Sequence, residues 1–262
     1  MTKAQDPARV LMLTKGLGRG GTERLLAGTV RHLDRSRFAV EVAYLLPWKD
    51  AFVPEVDAAG VPVRCLDAPR ATSPSWIGRL RRLVRDRDID LVHTHMPLPA
   101  AAARLALPGR RPAFVHTEHN MWDRYRLPTR LANHLTYGRN AAVIAVSDGV
   151  AGSIRSSRPV EVVAHGIDTR QLRPADAASR LAARQALGLD AAAPVVGTVG
   201  NFTAKKDQAT LLEAAARLAV EHPGLRLVLV GSGPLEDELR SRARSLLGDA
   251  AVFPGSRDDV YD

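Results

Sequence analysis

The 262-residue sequence has one cysteine, few aromatic residues and no apolar run long enough to cross a bilayer. The lone thiol, Cys65, excludes an intramolecular disulfide and fits a reducing cytoplasm. It lies in a predicted strand, where a small core residue is expected. Aromatics make up 5% of the chain, leaving few of the stacking platforms that single-stranded nucleic acid requires. No helix-turn-helix or zinc-finger spacing is present either, so nucleic acid is not an expected partner. The opening "MTKAQDPARV" lacks the apolar segment of a secretory signal, which points to a cytoplasmic protein.

What is present is an ordinary globular composition, 45% hydrophobic and 25% charged, over a length that suggests more than one domain. The formal charge of +9 is unevenly placed. Residues 1–170 hold 26 Lys and Arg against 16 Asp and Glu, whereas residues 171–262 hold 11 against 12. A basic first part suits an anionic partner such as a membrane surface or a phosphorylated lipid. Arginine decorating a solvated surface accounts for the same numbers, and both readings stay open. The stretch "SWIGRLRRLVRDRD" poses the same choice locally, with Ile77, Leu80 and Val84 on one face and five arginines around the other. It reads as a crossover helix or as a segment that inserts at an anionic membrane.

Short apolar runs recur along the chain: "RVLMLT", "FAVEVAYLL", "VPVRCL", "IDLVHTH", "PAFVHTEH", "AAVIAVS" and "VEVVAHG". Most alternate with helix-compatible stretches, the pattern of a buried parallel sheet. They predict one doubly wound α/β domain over residues 1–170. A second α/β series, over residues 171–262, supplies the strands "PVVGTVG", "LRLVLVG" and "AAVFPG". Between the first two, the helix "DQATLLEAAARLAVEHP" places Leu211, Leu212, Ala215, Leu218 and Ala219 on one stripe. Three parallel strands make a small sheet with exposed edges.

The first strand runs into "TKGLGRGGTERLL", where Gly16, Gly18 and Gly21 match the G-x-G-x-x-G dinucleotide pattern. A nicotinamide site also wants an acid at the end of the second strand, ~20 residues on, to hold the ribose. That strand ends in Leu45, Leu46 and Pro47, with Glu41 too early and Asp50 too late. The surviving expectation is that Gly20 and Gly21, at a helix N-terminus, receive some anionic or hydroxyl-rich group.

In open parallel sheets ligands sit beyond the carboxyl ends of the strands. Two facing sheets would bring together "HTHMP", "HTEHN", "HGID", "GNFTAKKD" and "GSGPLED". His93, His95, His116 and His119 invite a zinc reading, but they lie on separate strands without the HExxH helix or thiolates of such sites. His119, beside Glu118 and Asn120, is better placed as a hydrogen-bond donor or base, since an ordinary imidazole titrates near ~6.5. His116 reads as a structural residue. "GNFTAKKD" sets Lys205 and Lys206 at the positive end of a helix, an arrangement that attracts a diphosphate. An exposed first turn with Asp207 as its capping acid is the plain alternative. Gly231 and Gly233 permit close backbone approach after the next strand, as many simple turns do.

Taken in order, "GGTERLL", "DIDLVHTHMP", "HTEHN", "AVSDGV", "VVAHGIDTRQLRP", "VGTVGNFTAKKDQATLLEAAARL", "LRLVLVGSGPLEDELR" and "VFPGSRDDV" resemble the retaining glycosyltransferases of the group 1 or GT4 family. The resemblance covers nearly the whole chain and implies the GT-B fold, two Rossmann-like domains facing across a cleft. It implies sugar transfer from a nucleotide-sugar donor to a hydroxyl of a glycan or lipid-linked acceptor, with retained configuration and no metal or other cofactor. In that family the first domain holds the acceptor and the second the donor, in cell-surface glycan or glycolipid synthesis at the cytoplasmic face of a membrane. By residue, His119 matches the histidine near the transferring sugar and Lys206 the lysine that neutralises the leaving diphosphate. Gly20, Gly21 and Thr22 match the phosphate-proximal loop. Glu118, Asn120, Asn201 and Lys205 flank these positions, and Gly231 and Gly233 match the turn beside the nucleoside.

Two departures stand out. Asn201 occupies the position where many members carry an arginine. The glutamate pair spaced E-x7-E that the family places later in its second domain is not within the 262 residues. The resemblance thus implies the first two thirds of such an enzyme, with roughly a hundred residues beyond Asp262 by ordinary domain size. Two other readings fit the same scaffold: a nucleotide-sugar epimerase or hydrolase, and a non-catalytic acceptor-binding remnant.

Overall fold

The computed structural model describes residues 6–156, 158–170, 172–257 and 259–260. The chain divides into two compact units, Met1–Ile167 and Asp168–Asp262.

In the first unit, β1 (Ala8–Thr14), β2 (Phe38–Tyr44), β3 (Val63–Cys65), β4 (Leu91–Thr94), β5 (Ala113–Glu118), β6 (Ala142–Ala145) and β7 (Val160–Val162) form one sheet. Its order is β3-β2-β1-β4-β5-β6-β7, and every pairing is parallel. The seven apolar runs of the sequence are these seven strands. Between them lie α1 (Gly21–Arg31), α2 (Val53–Ala58), α3 (Ser75–Asp86), α4 (Pro97–Ala106), α5 (Leu127–Tyr137) and α6 (Asp148–Ser153). The order reverses between β1 and β4, the switch point at which such sheets leave a crevice at their carboxyl ends.

Alternation along β1 shows why both faces are covered. Leu11 and Leu13 enter a core with Trp76, Leu80, Val92 and Phe114, while Val10 and Met12 enter another with Leu26, Val30, Val42 and Val56. Successive side chains point to opposite faces, so a strand buried on both sides must be apolar throughout.

One expectation is corrected here and one choice is decided, the arginine-rich segment being the crossover helix. Cys65 is exposed rather than a core residue, because β3 is a three-residue edge strand. The arginine-rich helix, α3, buries Trp76, Leu80 and Val84 and keeps no apolar face for a membrane. Its arginines are used within the unit: Arg81 donates to the Ala106 carbonyl at 2.8 Å, and Arg79 to that of Asp67 at 3.2 Å.

The second unit contains α7 (Ala177–Ala186), β8 (Val195–Val199), α8 (Gln208–Glu221), β9 (Arg226–Val230), α9 (Glu236–Leu247) and β10 (Ala251–Gly255). Its three parallel strands are ordered β10-β9-β8. Leu212, Ala215, Leu227, Leu229, Leu239 and Ala243 pack around Phe202. The predicted stripe on α8 narrows: Leu212 and Ala215 are buried with Gln208, while Leu218 is 44% exposed.

Candidate active site

The carboxyl ends of β4 and β5 bring four histidines together. His93 and Thr94 belong to β4, and β4 pairs with β5 in the register His93 to Val115 and Thr94 to His116. His95 follows directly, its N–H donating to the Leu13 carbonyl of β1 at 3.2 Å. His93 Nε2 lies 2.8 Å from Thr117 Oγ1, and His116 Nδ1 lies 2.8 Å from Thr94 Oγ1. His95 Nδ1 contacts His119 Nε2 at 3.2 Å.

The rings of His93, His95, His119 and His165 follow one another at centroid separations of 4.3, 5.5 and 5.5 Å. Burial pushes the His93 and His119 imidazoles down to about 4, and neighbouring histidines push the same way. His95, fully enclosed, lies well below its ordinary value for the same reasons. The expectation that His119 titrates near neutrality is therefore corrected. It is a neutral ring at physiological pH, able to donate from one nitrogen and accept at the other. With Nε2 engaged by His95, Nδ1 of His119 is buried without a hydrogen-bond partner. No group of three or more His, Cys, Asp or Glu is arranged to hold a metal among the described residues.

Glu118 sits at the end of β5 and is fully buried, turned toward protein partners. Trp122 Nε1 donates to Oε2 at 2.8 Å, and the Tyr125 hydroxyl donates to Oε1. His116 Nε2 stands 3.5 Å from Oε2, long for a hydrogen bond but close enough for attraction. Burial opposes the carboxylate charge, yet His116, Tyr125 and Trp122 outweigh it and hold the carboxyl below its ordinary value. These bonds tie the 3-10 turn Trp122–Arg124 back to β5 and so shape the loop that carries His119 and Asn120, both half-buried. Sequence alone does not reveal Trp122 and Tyr125 as partners of Glu118.

The glycine loop before α1 leans on the loop after β2. Leu17 N donates to the Lys49 carbonyl at 2.6 Å, and Phe52 N to that of Leu17 at 2.8 Å. A Cβ at Gly16 would lie 2.6 Å from Lys49 Cβ, which accounts for that glycine by packing. Gly20 is the extended N-cap of α1, and a Cβ on Gly21 would meet nothing within 4 Å. Thr22 is half-buried in the first turn. The Glu23 carboxyl folds over Gly20, and its burial raises its pKa despite its own backbone N–H and the nearby Lys49 and Lys15. Trp48, 59% exposed beside this loop, is a second feature that the sequence reading missed.

In the second unit, the loops after β8, β9 and β10 brace one another. Phe202 N donates to the Ser232 carbonyl at 2.9 Å, and Gly231 N to that of Gly255 at 2.9 Å. A Cβ on Gly231 would strike the Gly200 carbonyl oxygen, and one on Gly233 would strike the Phe202 backbone. Close approach between protein segments thus requires both glycines. Asn201, Lys205 and Lys206 are exposed around a 3-10 turn, Ala204–Lys206, that precedes α8. The Lys206 stem passes over Gly200, where a Cβ would lie 3.6 Å from its Cε. Asp207 adopts a left-handed conformation, φ 49°, and its carboxylate accepts from Thr210 Oγ1 at 2.9 Å rather than from a helix N–H.

Two successive parallel α/β units with polar residues gathered at their strand ends are the components of the GT-B fold of glycosyltransferases. Family models agree: "Glycosyltransferase Family 4" matches residues 19–171 and "Glycosyl transferases group 1" matches residues 179–261. The chain belongs to glycosyltransferase family 4.

Among relatives, the GDP-mannose-dependent alpha-(1-6)-phosphatidylinositol monomannoside mannosyltransferase of Mycobacterium tuberculosis is 29% identical over 95% of this chain and 67% of its own length. The D-inositol 3-phosphate glycosyltransferase of Saccharomonospora viridis is 34% identical over 71% of this chain and 41% of its own length. Anabaena HepE, solved in complex with UDP, superposes with a TM-score of 0.76 at 21% identity, covering 96% of this chain and 70% of that one. The UDP-GlcNAc 2-epimerase of Neisseria meningitidis, bound to UDP-GlcNAc, gives a TM-score of 0.59 at 14% identity over 95% of this chain and 72% of its own.

Proposed function

We propose that this family 4 chain transfers a sugar, with retained configuration, from a nucleotide-sugar donor to a hydroxyl of a lipid-linked or glycan acceptor in cell-surface glycolipid or polysaccharide synthesis. The observation that carries this reading is His119: a half-buried, neutral ring just beyond the carboxyl end of β5, held by a bond from one nitrogen to His95 and with no protein partner for the other. Relatives that act on a phosphatidylinositol mannoside and an inositol phosphate support a polyol acceptor bearing phosphate. A structural neighbour in complex with UDP supports a nucleoside diphosphate as leaving group.

As the donor's glycosidic bond breaks, positive charge grows at the anomeric carbon and negative charge on the departing phosphate oxygen. Lys206 supplies the countercharge. The N-terminus of α1, beside Gly20, Gly21 and Thr22, adds the fixed dipole of the helix. His119, being neutral, orients the transferring sugar through a hydroxyl without setting a second cation beside the developing one. Asn120 extends the same loop, and Asn201 and Lys205 frame the diphosphate. Work at the cytoplasmic face of a membrane suits the basic first unit, in which no helix is long and apolar enough to span a bilayer among the described residues.

The test is nucleoside diphosphate release over a panel of GDP- and UDP-sugars, with and without phosphorylated or lipid-linked polyols. Acceptor-dependent release with formation of a glycosylated product supports transfer. Turnover of donor alone supports the epimerase or hydrolase reading, which the structural likeness to UDP-GlcNAc 2-epimerases keeps in view. Binding without turnover, unaltered by Lys206→Ala, supports an acceptor-binding module.

A further inference from the structure

Helix α5 is amphipathic in the reverse of the usual sense. The residues it buries include Asn133 and Thr136, which accept from the guanidinium of the equally buried Arg104 at 3.0 Å each. Burial pushes that guanidinium down to about 10, and the nearby Tyr137 and Glu118 oppose the shift. Outward, at four-residue spacing, stand Leu127, Leu131 and Leu135, exposed by 66, 54 and 74%. Such spacing places side chains on one face, over about 12 Å of helix axis. Single exposed leucines are common, but a stripe of three on a helix that buries its polar side marks an interaction surface.

The stripe borders a cavity of about 510 Å³ lined by Met121, Leu127 and Leu131 together with Arg130, His134 and Arg155. Neither arginine forms an ion pair among the described residues, and Asp123 is the one acid of the lining. Arg124 and Arg126 are exposed just before the helix. Apolar side chains projecting between unpaired cations are the chemistry of a helix lying at an anionic lipid interface.

We propose that α5 and this cavity form the surface by which the protein docks on anionic phospholipid, with the leucines entering the acyl boundary and Arg130 and Arg155 meeting lipid phosphates. The proposal deepens the reading above, since a lipid-linked acceptor requires an enzyme held at the membrane. It also moves the membrane contact from α3, whose apolar face is core, to α5.

The test is flotation of the chain with phosphatidylcholine vesicles, with and without phosphatidylglycerol and without any donor. Binding is expected to the anionic vesicles, to weaken as salt is raised, and to fall at least about tenfold in the triple variant Leu127→Ser, Leu131→Ser, Leu135→Ser. Arg130→Gln with Arg155→Gln should abolish the preference for phosphatidylglycerol. Equal binding of neutral and anionic vesicles, or undiminished binding by the serine variant, overturns the proposal. So does a large drop in its urea midpoint, which would mean that the stripe is covered in the folded chain. A dimer in light scattering that the serine variant dissociates assigns the face to a second copy and likewise overturns it. Because the vesicles are tested without donor, a failure of the transferase reading in the release assay leaves this surface standing, and a failure of vesicle binding leaves that reading untouched.

Discussion

His95 Nδ1 lies 3.2 Å from His119 Nε2, and each ring keeps its other nitrogen buried without a hydrogen-bond partner. The bond fixes the orientation of His119 and couples the tautomers of the two rings, because between two neutral imidazoles one must donate and the other accept. His119→Ala is expected to lower kcat about a hundredfold. His95→Ala, acting through His119, should cost roughly tenfold in kcat with little change in the donor KM. Steady-state kinetics on the two variants and their combination check this, and independent, multiplying losses would sever the link.

Acid should destabilise the first unit well before its carboxylates titrate. His93 and His119 are held near about 4 in the folded state by burial, and His95 also lies well below its ordinary value. In the unfolded chain these rings take up protons near ~6.5, so the unfolded state binds more protons between those values. Stability is then fully present above pH 6.5 and falls as pH drops toward about 4, by ~1.4 kcal/mol per unit for each ring. Urea midpoints across this window measure it, and a flat profile would contradict the neutral histidine row.

Glu118→Ala removes the acceptor of Trp122 Nε1 and the Tyr125 hydroxyl at a fully buried position. Leaving those donors unpaired is expected to cost about 3 kcal/mol. Activity should fall as well, since the loop bearing His119 and Asn120 loses its anchor. Glu118→Gln, which keeps one acceptor oxygen, should retain more of both. Denaturation and turnover of the two variants decide the matter.

Glycines that look alike in the sequence should respond differently. Gly233→Ala sets a Cβ against the Phe202 backbone at φ 159°, and Gly231→Ala meets the Gly200 carbonyl at φ 142°. Each should destabilise the second unit by about 2 kcal/mol or more. Gly21→Ala enters open space in the first turn of α1 and should leave stability unchanged or raise it by up to ~1 kcal/mol. Its effect should appear in donor KM, if the α1 N-terminus approaches phosphate. Thermal melts beside kinetics separate the two classes.

Lys206 is exposed, so Lys206→Ala should leave the melting temperature where it is. Its kcat is expected to fall about a hundredfold through loss of countercharge on the leaving diphosphate. Lys205→Ala, one residue away on the same turn, should cost less, and similar losses for both would show a diffuse field in place of a placed charge.

The central strands of the first unit were legible because a parallel strand covered on both faces must be apolar along its length, as β1 is. Alternation on β1, with Leu11 and Leu13 to one side and Val10 and Met12 to the other, assigns the two cores without a structure. The rule that ligands gather at carboxyl ends then shortlists the loops that carry His119 and the pair Lys205 and Lys206, and the resemblance implies which of the lysines matters. The rule stops short at side-chain direction. Glu118 and His119 are neighbours in sequence, yet one turns fully inward to Trp122 and Tyr125 while the other lines a row of histidines. Cys65 was misplaced because nothing in "VPVRCL" says that its strand ends at a sheet edge.

By itself, then, the sequence determined element type and order, the doubly wound pattern and the family, since each is written in local periodicity or in short motifs. Only the tertiary structure decided what the site is electrically and which surface is left uncovered. The neutrality of His119 comes from burial among residues up to 46 positions away, His165 included. The leucines of α5 face outward because Arg104, 29 residues from Asn133, claims the polar side of that helix. Burial and pairing of this kind are properties of neighbours in space, and a chain read in order does not contain them.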